Sequence, residues 1–272
     1  MAFLFYLSVF ILGSVFASFA LVLAERLPRG EKVLLSRSRC SSCRHKLSWL
    51  DLLPLVSWLA LAGKCRYCGR KISGQYIWGE AILGVLFAAI AVKYNLLAGL
   101  FEAKPDYFVA LQVVFAWLLA TVLLAVFLAD WRHFIIPNAL LAGIVLLLIF
   151  FWGVACALNI YNGGFIITRV LSGFLFGGAF WGVWFFSKGE WLGLGDVKYF
   201  FVSGALLGAG GFLAMIFLAS LAGSLVGVWQ IVFRQKNLKS KLPFGVFLAP
   251  ATLIVYLFLE HISNFLFNLL II

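Results

Sequence analysis

Eight apolar runs dominate the chain, near 2–23, 78–98, 107–129, 138–158, 166–186, 198–209, 212–233 and 245–270. A helix of roughly 20 residues crosses a bilayer, and runs this long and this frequent leave little room for a water-facing surface. Of 272 residues, 64% are hydrophobic and 11% are charged. An ordinary soluble domain is about 45–50% apolar and about 25% charged. A soluble enzyme, a disordered chain and a fibrous repeat are therefore excluded together. The expected fold is an all-α polytopic membrane protein with about eight transmembrane helices. The sixth run is short and borders Gly208-Ala209-Gly210-Gly211, so a tilted or broken span is expected there. Gly173 and Gly177, four positions apart, should let two helices approach closely. The first run has no basic segment before it and is followed by Arg26 and Arg29, so it reads as a retained span and not as a cleaved signal.

One polar stretch is sizeable, residues 24–77. It holds 11 Lys or Arg against Glu25, Glu31 and Asp51. Eight spans make the loops alternate sides. With 24–77 placed inside, Arg132, Lys188, Lys198, Arg234, Lys236, Lys239 and Lys241 fall inside too, and Lys93, Lys104 and Arg169 fall outside. The split is 18 to 3, which predicts a cytoplasmic 24–77 and both termini outside. It also accounts for the net charge of +11: the cations sit beside anionic headgroups of the lipid bilayer. No nucleic-acid partner is expected. Three domains follow: 1–23 as the first transmembrane helix, 24–77 as a basic cytoplasmic loop, and 78–272 as a seven-helix membrane core.

Within the loop, 40–69 carries two Cys-x-x-Cys pairs, Cys40/Cys43 and Cys65/Cys68, with 21 residues between Cys43 and Cys65. Two residues between the thiols of a tight turn let both sulfurs face one ion, and the spacing of the pairs matches a four-thiolate zinc site. Gly69 suits the left-handed backbone such a turn needs. Disulfides, redox chemistry or idle thiols are the alternatives, and a cytoplasmic location disfavours the first. A closed four-cysteine site is structural, so its expected role is to fold the insertion between helices one and two. His45 reads as a solvated or structural side chain, with four thiolates already present.

Ionisable side chains in or beside spans are costly and point to function. Here they are Glu80, Asp130, Glu190, Asp196 and Glu260. Asp130 ends the third span before Pro137 and Asn138. Asp196 follows Gly193-Leu194-Gly195 and precedes Lys198. The alternation of loops puts both carboxylates at the same inner boundary. Pro and Gly beside them free backbone from regular helix, which is tolerated at that depth only where it lines protein or water. Two carboxylates in one half-buried site do not both ionise easily and hold a proton between them. One can then take a proton from water while the other polarises a peptide carbonyl, which is aspartic peptide hydrolysis. The alternatives are helix capping, pairing with Arg132, Lys188 or Lys198, and transport. Glu80 and Glu260 read as interface anchors. Glu190 could tune Asp196, and Lys198 could reach headgroups or a substrate carboxylate.

Four pieces carry a resemblance: GSVFASFALVLAERLPRGE (13–31), the CSSC…CRYCGRKIS module (40–73), DWRHFIIPN (130–138) and EWLGLGDVK (190–198). Together and in this order they resemble the bacterial type IV prepilin peptidases, relatives of the GxGD intramembrane aspartic proteases. The resemblance implies catalysis by Asp130 and Asp196, with Gly193, Gly195, Glu190, Lys198 and Pro137 supporting the site. It implies cleavage of short basic leaders from prepilins and pseudopilins, the substrates of type IV pilus and type II secretion systems, at the cytoplasmic face of the bacterial inner membrane. It further implies N-methylation of the new amino terminus with S-adenosylmethionine as cofactor, for which no glycine-rich nucleotide motif is visible here. Arg132 stands where many relatives carry a second acid. A GxGD protease with other substrates, or a transporter with a regulatory zinc module, are the rival readings. Neither the particular pilin partners nor an oligomeric state can be read from the residues.

Overall fold

The computed structural model describes residues 2–33, 38–40, 42–101, 107–234 and 242–270, with backbone only at 98, 100, 101, 234 and 260–270. Arg37, Lys104, Lys236, Lys239 and Lys241, which enter the charge split, lie outside the described residues, as do the side chains of Arg234 and Glu260. The long helices are α1 (Ala2–Arg26), α2 (Gln75–Lys93), α3 (Tyr107–His133), α4 (Asn138–Ala157), α5 (Gly163–Phe186), a 41-residue helical run Leu194–Arg234, and Gly245–Leu270. Extended pairing among the described residues is confined to two isolated bridges. Among the described residues, six helices are long and apolar enough to cross a membrane, and Gly245–Leu259 is a shorter apolar helix.

The run Leu194–Arg234 is two helices. Gly208 has φ 70° and ψ −178°, outside helical backbone. Residues 12 apart on a straight helix are about 18 Å apart, yet the Phe200 and Phe212 ring centroids are 5.6 Å apart. Tyr199 and Met215 likewise both reach the Thr252 hydroxyl, at 2.6 and 3.1 Å. The chain therefore folds back at Gly208, giving α6 (194–207) and α7 (209–234), and Gly245–Leu270 becomes α8. Each of the eight apolar runs thus corresponds to a helical segment, and the break expected near the GAGG sequence is a reversal. The chain is a multi-pass membrane protein with the four-cysteine insertion between α1 and α2.

The chain divides into two compact units, Met1–Ala125 and Val126–Ile272. In the first, α1 lies along α2. A Cβ at Gly13 would be 2.8 Å from Leu83 O, and the Ser14 hydroxyl donates to Glu80 O at 3.1 Å. Trp117 of α3 stacks on Phe87 (5.0 Å between centroids) and donates its indole N–H to Phe87 O at 3.0 Å. In the second unit, α5 meets α6 through glycine. A Cβ at Gly173 would be 2.6 Å from Phe201 O, and one at Gly177 would overlap the Phe201 ring. Without side chains, these positions let the helix backbones approach, which is how helices associate where lipid supplies no hydrophobic drive. Rings of Phe176, Phe180, Phe200 and Phe212 fill the space beside the contact.

This packing makes a prediction. Gly177→Ala should lower the thermal stability of the purified protein in detergent, by about 1–3 kcal/mol for an overpacked contact. Gly178→Ala, where an added methyl meets nothing within 4 Å, should be neutral or slightly stabilising, because Ala favours helix over Gly by about 1 kcal/mol. Equal melting temperatures for the two variants would remove the close-packed α5–α6 contact.

Candidate active site and metal centre

In the second unit, four helix ends converge. Helix α3 ends at His133, Phe134 turns the chain with φ 55° and Pro137 precedes α4 with φ −63°. Asp130 lies one turn before that end and is 5% exposed. Asp196 occupies the first turn of α6. A Cβ at Gly193 would be 3.2 Å from Asp196 Oδ2, and one at Gly195 would be 3.5 Å from Ile136 Cβ. The loop before Asp196 is therefore packed against the loop after Asp130, and glycine there leaves the space. Lys198 Nζ donates to Asn138 Oδ1 at 3.1 Å, linking α6 to α4. The Asp130 carboxylate acts electrostatically on Asp196. The two acids, 66 positions apart in sequence, thus share one end of this unit with Gly193, Gly195, Pro137 and Lys198. Glu190 is exposed on the preceding turn, its backbone N–H bonded to Ser187 O at 3.0 Å.

The start of α8 completes this end, and sequence reasoning missed it. The backbone N–H groups of Gly245 and Val246 face the Asp130 carboxylate. A Cβ at Gly245 would lie 2.8 Å from Asp130 Oδ2. The N-termini of α4, α6 and α8 bring partial positive charge to the same place. Asp130 Oδ2 is buried without a hydrogen-bond partner, an expensive state for a carboxylate oxygen and one that a proton or a bound peptide relieves. Chemically, the arrangement offers two carboxylates that can divide one proton, with backbone amides facing one of them.

In the first unit, the two Cys-x-x-Cys turns are built alike. Cys40 N–H donates to His45 O and Arg44 N–H to Cys40 O; Cys65 N–H donates to Arg70 O and Gly69 N–H to Cys65 O, at 2.9–3.0 Å. The fifth position of each turn is left-handed: Arg44 has φ 57° and Gly69 φ 69°. The four Sγ atoms lie within 4.8 Å of one another, and Cys40 and Cys68 sulfurs are 3.9 Å apart. Tetrahedral Zn–S bonds of about 2.3 Å set sulfurs about 3.8 Å apart, so the donor set fits. The cluster is placed to hold a metal ion. The Cys43 backbone N–H pulls the Cys40 thiol down to about 7, toward the thiolate a metal needs. His45 is not among the ligands; its ring stacks on Tyr67 with centroids 3.7 Å apart.

Asp51 ties the loop between the turns to the second turn. Its carboxylate accepts from Ser48 N–H (3.0 Å), Ser48 Oγ (2.8 Å) and Tyr67 OH (3.0 Å), and pairs with Arg66 Nε at 2.9 Å. Burial acts to raise its proton affinity, but the Ser48 and Tyr67 hydrogen bonds and Arg66 outweigh it and hold the carboxyl below its ordinary value.

Residues 11–94 match the family described as the bacterial peptidase A24 N-terminal domain, and residues 117–228 match the type IV leader peptidase family. The first match contains the cysteine module and the second contains both aspartates. The chain is 28% identical to the prepilin leader peptidase/N-methyltransferase of Bacillus subtilis over 269 residues, 94% of this chain and 95% of that one. It is 32% identical to the protein of that name from Vibrio cholerae, over 77% of this chain and 80% of the relative. With the one from Pseudomonas putida the identity is 31%, over 84% and 74%. No solved structure matches. Through the Vibrio and Pseudomonas relatives and the two domain matches, this chain belongs to the type IV leader peptidase family.

Proposed function

We propose that this protein is an aspartic endopeptidase that removes the short basic leader of type IV prepilins and pseudopilins at the cytoplasmic face of the bacterial inner membrane. The observation that carries the reading is the meeting of Asp130 and Asp196 at one end of the second unit. The ionised carboxylate takes a proton from a water molecule as that water attacks the scissile carbonyl. The protonated one donates a hydrogen bond to the developing oxyanion. Collapse of the tetrahedral intermediate then transfers a proton to the leaving nitrogen. Asp130 and Asp196 divide these two roles between them. The backbone N–H groups of Gly245 and Val246 face Asp130, so favourable charge at that carboxylate comes from main chain and not from a flexible side chain.

The 18-to-3 charge split supports the cytoplasmic orientation. A prepilin is a membrane helix with a basic head, so its cut site falls at the depth of the two acids without extraction from the bilayer. In this reading 78–272 is the peptidase core, and Cys40, Cys43, Cys65 and Cys68 would hold a structural Zn²⁺ that takes no part in the hydrolysis. The relatives' names also carry N-methyltransferase, and methylation of the new amino terminus by S-adenosylmethionine belongs to the proposal. Among the described residues there are no strand ends of the kind that bind nucleotides in sheet folds.

Co-expression with a prepilin followed by intact-mass measurement tests both activities. Loss of the leader mass with a gain of one methyl supports them, and an unprocessed product overturns the peptidase. Gly245→Ala supplies a second prediction. Its methyl would press on Asp130 Oδ2 and Cγ, 2.8 and 3.0 Å away. Displacing a catalytic group by a fraction of an ångström can cost about 10²-fold in rate. Cleavage should fall by that order with metal content unchanged, whereas Gly143→Ala, where nothing lies within 4 Å, should cleave normally.

A further inference from the structure

The segment between the two cysteine turns is too apolar for a loop that faces water. Trp49 is 72% exposed, Val56 61% and Leu59 63%, and Leu50 and Leu52 are exposed beside them. So many exposed large apolar side chains in one short segment mark an interaction site. Its depth is set by one hydrogen bond. Leu55 N–H donates to Glu80 Oε2 at 2.8 Å, and Glu80, 7% exposed, also accepts from the Ser18 side chain. Glu80 lies five residues, about 7.5 Å, inside α2, and Ser18 lies eight residues, about 12 Å, before the end of α1. Tyr76 OH, bonded to Glu25 Oε2 at 3.2 Å, marks the level at which the two helices end. The chain at Leu55 is thus tied to a buried carboxylate whose Cα lies inside the span. Leu55 itself is held at φ 62°, ψ −49°, a strained backbone for leucine that the buried acceptor keeps in place. In the cysteine turns that flank this segment, Arg44, Lys46, Lys64, Arg70 and Lys71 are exposed.

We propose that residues 49–60 form an interfacial membrane anchor. The occupant of the patch is the bilayer itself: Trp49, Val56 and Leu59 enter the acyl boundary, and the surrounding cations meet anionic phospholipid headgroups. Apolar side chains flanked by Lys and Arg at headgroup depth are the chemistry of a segment lying in the membrane plane, and the tryptophan follows the interfacial preference of that ring. The cysteine module is then fastened to the membrane at a third point, besides the ends of α1 and α2, and Glu80 is the residue that sets how deep the segment lies.

The test uses the full chain in nanodiscs of phosphatidylethanolamine and phosphatidylglycerol. Trp49, Val56 or Leu59 is replaced singly by p-benzoylphenylalanine, the sample is irradiated, and the protein is weighed intact. Phe174 of α5, 65% exposed, is the lipid-facing control, and Arg70 is the headgroup-side control. Phospholipid adducts at all three positions should exceed the Arg70 control by about tenfold, as insertion past the headgroups requires. They should fall when phosphatidylcholine replaces phosphatidylglycerol, while the Phe174 adduct stays. Metal content of each variant, unchanged from wild type, shows that the module is folded. Adducts no greater than at Arg70 overturn the proposal. So do adducts that form only with added prepilin and carry its mass, since the patch is then a substrate-docking surface. Yields indifferent to phosphatidylglycerol overturn the headgroup component.

Discussion

Asp130→Asn and Asp196→Asn should each stop leader removal, with rates down by at least about 10³-fold, and the double variant should be no worse than either single one. Groups that act as a unit lose their combined effect when one is removed, and two carboxylates that divide a proton are such a unit. Asparagine preserves size and polarity, so the helix ends gathered around the site should remain folded. The check is a time course with purified protein and a prepilin in detergent, read by mass, beside a melting curve for each variant. Near-normal cleavage by both single variants would refute the mechanism. Losses that multiply in the double variant would show that the acids work independently, contrary to a shared proton.

The second large effect concerns the cysteine turns. Wild-type protein should contain about one zinc per chain by elemental analysis, and Cys65→Ser should contain none. Structural zinc contributes about 10–16 kcal/mol of apparent binding energy in small modules, far more than a segment this short obtains from its core. Removing it should therefore unfold the insertion. Trypsin, sparing Lys64, Arg66 and Arg70 in the wild type, should cut there in Cys65→Ser while the transmembrane helices stay intact. Acid should act in the same direction. Thiolates bind the metal and thiols do not, so affinity falls as pH drops. The Asp51 network weakens later on the same path: a carboxyl held below its ordinary value stabilises the fold above its unfolded pKa and loses that contribution as pH falls through the folded one. A metal-free wild-type module that still resists trypsin would overturn the structural role.

Much of the fold is legible in the sequence because lipid simplifies the problem. Uninterrupted apolar runs have one backbone solution, so helices follow from length alone. Alternation of loops then brings Asp130 and Asp196 to one depth with no knowledge of how the helices pack. The thiol spacing is legible because the ligand geometry repeats: Cys40 through Lys46 and Cys65 through Lys71 make the same turn. What stays hidden depends on backbone groups and contacts that no residue type announces. Gly245 follows Leu242, Pro243 and Phe244 at the start of an apolar helix, and nothing in those letters says that its N–H faces Asp130. The bond from Leu55 N–H to Glu80 joins a donor every residue carries to an acid that reads only as an interface anchor. Gly208 is legible as a break, but the direction of the chain after it is not, because a kink and a reversal begin with the same glycine.

The reversal at Gly208 leaves α6 only 14 residues long, about 21 Å against a hydrocarbon thickness of about 30 Å. Arg169, six residues or about 9 Å inside α5, closes the shortfall: its guanidinium donates to Leu206 O at 3.2 Å and would touch a side chain at Gly208. The leaflet opposite the two carboxylates therefore meets a cation well short of its own surface. A span this short is mismatched to a thick bilayer, at a cost of a fraction of a kcal/mol per ångström. Short-chain phospholipids relieve it, so the protein should be more stable in thin bilayers than in thick ones.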